Sequence, residues 1–515
     1  MAAGAGATVV PGESLSAETG SGTAGAAPAP RDPRTGPSAA APGRTRNRLL
    51  TDAYWTTPRR VRALTGLSLA GLLALAAVAG TVLGGARDSI DTIGHRAAPQ
   101  AERASDLYFA LSDLDAQAAN LLLVGAAPAD SAERQAVENT YQQRRAQADQ
   151  DLQQAAEASA DDPSGQQAVA AVLGALGQYE ALVARSDLEE STAEAQPGKP
   201  PADALADYQQ ATDLLRQRLL PAADQVANSN AAVVDGSYRS QRAALGSGWW
   251  WLLIVGLLAL TALLALQRTL AVRFRRVVNP PLALATVLTA AGLVYLLSLA
   301  SGADQHLVVA KSNAYDSVIA LSRAKAVAYD SNADESRYLT DPSRAVAYQQ
   351  SFFDKTQSIV QIDGATLDSY DGRLAPLTAA VLADPAKVGF GGYLGDELRN
   401  ITFPGEQAAA DKVLTSFQTY QADDRKIRSL QAEGELSDAI AFDTGTAPGQ
   451  SDGDFTVLSN AFDNVIGINQ HAFDQAVSAA DGDLGTGTTV LGGVLLLLVV
   501  GLSVLGVRPR LREYR

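Results

Sequence analysis

The chain has no cysteine and a single methionine. Without cysteine there is no disulfide, no thiolate metal ligand and no thiol nucleophile. Histidine is almost as scarce. His95, His306 and His471 stand far apart, each alone on a presumed helix, and none has a metal-ligand spacing. No GxGxxG opens a helix after a strand, and GxxxxGK[ST], HExxH and GxSxG do not occur. Asp452 and Asp454 in SDGDF, and Asp481 and Asp483 in DGDL, look like fragments of calcium loops. The rest of that ligand frame is missing, and N-capping is the better reading of SDGD. The expectation is a protein that is not an enzyme and carries neither cofactor nor metal.

Long uncharged runs, by contrast, are plentiful. Residues 63–84, 249–266, 282–300 and 488–507 contain no Asp, Glu, Lys, Arg or His, and each is long enough to cross a hydrocarbon core as a helix. Ionisable groups at membrane depth mark most ion and solute pathways, so four spans without one argue against transport. Trp249, Trp250 and Trp251 open the second span as interfacial anchors, and Arg268, Arg273, Arg275 and Arg276 fill the loop that follows it. The first span begins too deep in the sequence, and is too long, for a cleaved signal peptide.

Charge divides along the same boundaries. Residues 85–247 hold 24 acids and 12 bases, and 301–487 hold 27 acids and 13 bases. The positive excess sits in the N-terminal tail, the 267–281 loop and the 508–515 tail. Short basic flanks stay cytoplasmic, which puts both termini inside and both acidic segments outside a cell membrane crossed several times. Residues 1–62 begin as a stretch of Ala, Gly, Pro, Ser and Thr that cannot bury enough apolar surface to fold.

Both acidic segments read as helix. Leu107, Leu111, Leu114, Ala118 and Leu121 step by 4, 3, 4 and 3, the seam of a bundle or coiled coil. Val169, Val172, Leu176, Tyr179 and Val183 mark another helix, and Leu215, Leu219, Ala222, Val226 and Val233 another. The second segment repeats the plan, with ALS at 320–322 echoing ALS at 110–112. The predicted fold class is all-α: four transmembrane helices and two extracytoplasmic four-helix bundles, 85–247 and 301–487, related by duplication. Residues 362–404 interrupt the second bundle with glycines and prolines that read as a broken connection. Phe390 and Tyr393 on that connection form either a lid or a docking surface. Arg144 and Asp424 fall on inward seams; a snorkelled or internally paired side chain at a bundle end is the leading reading, and an inward arginine gripping the carboxylate of a small acid is the other.

ASDLYFALSDLDAQAANLLLVG at 104–125 and LRQRLLPAADQVANSN at 215–230 resemble the sensor modules of bacterial chemoreceptors and sensor kinases. Neither bundle is followed by a HAMP linker, a methyl-accepting coiled coil or a kinase. The whole layout resembles the actinobacterial four-span membrane proteins that work with a glutamine/glutamate-binding lipoprotein and protein kinase G. That resemblance implies a relay, with a solute-binding protein docking outside and a cytoplasmic kinase responding inside. The expected partners are membrane lipid, these two proteins and a second copy in a homodimer, with no nucleic acid. A structural scaffold of the envelope and a transporter accessory subunit are the alternatives.

Overall fold

Four long rods set the architecture of the computed structural model, which describes residues 57–128, 131–158, 163–274 and 279–512. The first rod is α1 (Thr57–Ile90), a π-helical turn (Asp91–Ala97) and α2 (Ala98–Val124). α3 (Ser131–Ala158) and α4 (Pro163–Ala193) follow, and then the second rod. This comprises α5 (Ala202–Leu214), a π-helical turn (Leu215–Leu219) and α6 (Leu220–Phe274). The third rod repeats the first: α7 (Pro280–Val308), a π-helical turn (Val309–Tyr315) and α8 (Asp316–Thr340). Shorter helices α9 (Ala345–Ile359), α10 (Leu367–Ala383), α11 (Gly392–Asn400), α12 (Glu406–Glu433) and α13 (Leu436–Asp443) lead to the last rod. There α14 (Ser451–Leu484) and α15 (Thr486–Arg512) meet at Gly485. The class is all-α, and no strand forms among the described residues.

Five helical stretches are long and apolar enough to cross a membrane, which makes this a multi-pass membrane protein. Four lie on the rods and contain the predicted runs. The fifth lies on α4 and is the least apolar. Its Val172, Leu176, Tyr179 and Val183 are buried against the other helices of the first half.

The apolar ends of the rods form a closed group, with α1 on α6, α6 on α7, α7 on α15 and α15 on α1. Small residues bring them close, since a Cβ on Gly256 would lie 2.4 Å from Leu293 Cδ1. Buried hydroxyls there bond to their own helix, Ser68 to the Leu64 carbonyl and Thr289 to that of Ala285. Trp250 and Trp251 project outward at 61% and 59% exposure, whereas Trp249 is half-buried. Arg268 is exposed near the end of α6, and Arg275 and Arg276 lie outside the described residues, as does the N-terminal tail up to Thr56.

The polar ends form the head. α2 packs along the length of α8, so the two halves share one seam. Leu107, Leu111 and Leu114 fill the first core, and Phe417, Tyr420 and Phe462 the second. The 362–404 connection departs from expectation because it is largely helical. A capping box between Thr366 and Ser369 starts α10, which tolerates Pro376 and buries Tyr370, Leu374 and Val381. Gly392 then starts α11 at φ +81°, where a Cβ would lie 2.7 Å from the Ile359 carbonyl oxygen. Gly392→Ala is therefore expected to cost about 1–3 kcal/mol, read as a lower melting temperature of the purified protein.

Candidate functional site

The seam between the halves encloses charge. Arg337 of α8 is 0% exposed, and its fork reaches four partners. It donates to Tyr208 Oη of α5 at 3.0 Å, to Asp330 at 3.2 Å, and to Asp334 and Asp115. Asp115, on α2, also accepts from Tyr179 of α4 at 2.9 Å and Thr212 of α5 at 2.8 Å. Lys355 of α9 spans Asp330 and Asp334 at 2.7 and 2.6 Å. Arg216, in the π-helical turn of the second rod, reaches Asp334 at 3.3 Å and Ser351. Three carboxylates thus face three cations, the balance that makes buried charge tolerable. Burial would push the Asp330 carboxyl up, but Lys355, Arg337 and Arg216 together hold it below the usual carboxylate range.

Beside this network lies a cavity of about 470 Å³ between α2, α6, α8 and α11. That size falls within the range of small-ligand sites. Its polar lining is of both signs: Arg216 and Arg323 against Asp224 and Asp330, with Tyr108 of α2 and Tyr393 of α11. Arg323 donates to Asp224 at 3.3 Å and to Asn228, so the guanidiniums are held in place before any ligand arrives. Pro221 and the π-helical turn below it form one wall. Such turns recur at functional sites because they displace the backbone that follows.

The structure disperses the residues singled out in the sequence. Tyr393 lines the cavity. Phe390, only 3% exposed, belongs to the core of the second half and lines a separate cavity with Gln361, Arg373 and Arg399. Arg144 of α3 lies away from the cavity lining and pairs with Asp113 of α2 at 2.5 Å. Asp424 pairs with Arg428 on its own helix at 2.6 Å. His95 and His306 are joined to the fourth rod, at 2.8 Å to Asp481 and 3.3 Å to Asp483. Those two carboxylates are thereby engaged, and among the described residues no group of three or more His, Cys, Asp or Glu is arranged to hold a metal.

Pattern reading missed Arg337, Asp115, Arg216 and Arg323. A signal was present in α8: Asp330, Asp334 and Arg337 step by 4 and 3 along one face, opposite the apolar seam of Leu321, Ala324 and Ala328, and all three are buried. Charge on a buried stripe marks a network or a site.

Residues 89–239 match the family described as the actinobacterial sensor domain. The match begins at the end of α1, takes in α2 to α5, and stops within α6 before the tryptophans. It supports a sensing or signalling role. No curated protein and no solved structure matches the chain.

Proposed function

We propose that this is a non-enzymatic transmembrane sensor whose head, outside the membrane, reads a small ligand in the cavity at the seam. One observation carries the reading: the cavity walls are segments of three rods, each helical from the cavity into an apolar span. A ligand that draws α6 toward α8 acts inside the membrane on α6 directly and on α7 through the π-helical turn Val309–Tyr315. Helix shifts of about 1–2 Å at packed interfaces are an established switching motion, and one along these rods would carry the state across the bilayer. Two guanidiniums facing two carboxylates suit a dipolar molecule with a carboxylate and an ammonium, an amino acid among them.

In this reading the head is extracytoplasmic and both termini are cytoplasmic, set by the basic flanks. A ligand-loaded solute-binding protein docking on the head is a second route to the same displacement. On the inner side, the arginines of the 267–281 loop meet anionic lipid and a partner such as a Ser/Thr kinase.

The absence of cysteine makes the test clean. Thr269→Cys and Leu284→Cys, spin-labelled in the full chain in nanodiscs, report the distance between α6 and α7. Equilibrium dialysis against a panel of radiolabelled amino acids identifies ligands directly. Binding accompanied by a shift of about 1–2 Å, both lost in Arg216→Ala and Arg323→Ala with the head still folded, is the expected result. A bound ligand that leaves the distance distribution unchanged would sink the relay.

A further inference from the structure

A second buried polar group lies away from the cavity, where α11 meets α12, α14 and the third rod. Glu397 of α11 and Glu406 of α12 are 1% and 0% exposed and are hydrogen-bonding neighbours. Glu406 uses Oε2 to accept the backbone N–H groups of Thr402 at 2.6 Å and Phe403 at 2.8 Å. Glu397 Oε1 accepts from Asn469 Nδ2 of α14 at 3.4 Å. That leaves one oxygen on each acid, Glu397 Oε2 and Glu406 Oε1, buried and without a donor among the described residues. Two carboxyl groups can bond to each other only if one carries a proton, and a single shared proton satisfies both orphaned oxygens at once.

The pair is mechanically connected. Three residues beyond Glu397, Asn400 Nδ2 reaches the carbonyl oxygens of Ser312 and Asn313, each at 3.1 Å, and Ser317 Oγ at 3.0 Å. Ser312 and Asn313 lie in the π-helical turn that joins α7 to α8. α11 is therefore a clamp on the irregular segment of the third rod, seated on the acid pair.

We propose that Glu397 and Glu406 share one proton and form a proton-operated latch, which keeps α11 and Asn400 on the π-helical turn and releases them when the proton is lost. Burial, and then Glu406, push the Glu397 carboxyl up to about 7 against the opposing bonds from Ser317 and Asn469, so release falls near neutral pH.

The surrounding charges leave the pair to itself. On α8, Asp316 is engaged by Lys311, which also holds Asp235 of α6. On α9, Lys355 is committed to Asp330 and Asp334, and Asp354 accepts from Gln350. On α11 itself, Asp396 and Arg399 pair with each other. From α12 the facing acid is Glu406, and from α14 the facing group is Asn469.

Hydrogen exchange of the full chain in nanodiscs, corrected for intrinsic rates, tests the latch. If opening requires loss of one proton, exchange at 309–315 and 392–403 rises by up to about tenfold per pH unit from the ordinary carboxylate range up to about pH 7 and levels off above it. Glu397→Gln supplies a permanent donor to Glu406 and abolishes that pH dependence, holding exchange low. Asn400→Ala raises exchange at 309–315 at every pH. Should Glu397→Gln unfold, the wild-type infrared spectrum decides, because a carboxylic-acid carbonyl band must disappear near neutral pH. Wild-type exchange that is flat with pH, a Glu397→Gln protein that keeps the wild-type response, or no acid band would each overturn the proposal. None of these readouts involves a cavity ligand, so the sensor reading stands or falls separately.

Discussion

Arg337→Ala is expected to destabilise the head by about 3–5 kcal/mol, because it strands buried carboxylates rather than merely deleting a contact. Asp115 would keep only the hydroxyl donors of Tyr179 and Thr212. Asp330 and Asp334 would keep Lys355 and Arg216, two cations for two carboxylates, so the surplus negative charge would fall on Asp115. Denaturant titration of the full chain in detergent measures the loss. Arg337→Lys should recover only part of it, since one ammonium cannot span Tyr208, Asp330, Asp334 and Asp115 together. Arg337→Ala combined with Asp115→Asn should cost less than the sum of the two single changes. Strict additivity would mean that the seam does not depend on this pair.

The helices of the head were legible because their apolar spacing is regular. Leu107, Leu111, Leu114, Ala118 and Leu121 are all buried, and so are Val169, Val172, Leu176, Tyr179 and Val183. Where the spacing is ambiguous the reading slips. Val233 was expected inside, yet it is 51% exposed and the adjacent Val234 is buried in its place. Two neighbouring valines give no phase, and only the packing of α6 decides between them. The π-helical turns were illegible for a related reason. They reflect how rods match one another in the folded head, and no local residue type commands them. The 362–404 stretch misled because Gly389, Gly391, Gly392 and Pro376 read as breakers, while the Thr366 cap and the apolar face of α10 outweighed them. The cavity escaped notice because its walls are assembled from residues more than a hundred positions apart, such as Arg216 and Arg323. Only the mixed charges that step by 4 and 3 along α8, Asp330, Asp334 and Arg337, pointed toward it.

A second large effect is expected from pH alone. The head buries acids with too few cations. Burial pushes Glu102, Glu190 and Asp423 up to about 7 and Asp106 and Asp151 up to about 6, with Asp113, Glu335 and Asp443 also raised. Each of these binds its proton more tightly folded than unfolded, so the native head holds more protons than the unfolded chain between the two values. The stability they contribute is fully present below the ordinary carboxylate range. It is lost progressively as pH rises through their folded values, about 6 to 7 for those five groups. Asp330 acts in the opposite sense: its pairing with Lys355, Arg337 and Arg216 stabilises the head above the usual carboxylate range and fails only in strong acid. The melting temperature of the full chain is therefore expected to peak in mildly acidic solution and to fall between about pH 5 and about pH 8. Glu335→Gln with Asp443→Asn should flatten that fall, because Tyr420 and Ser336 can still bond to the neutral side chains. A melting temperature that climbs through the same interval would mean that these acids, like those of the seam, are charged and paired in the native head.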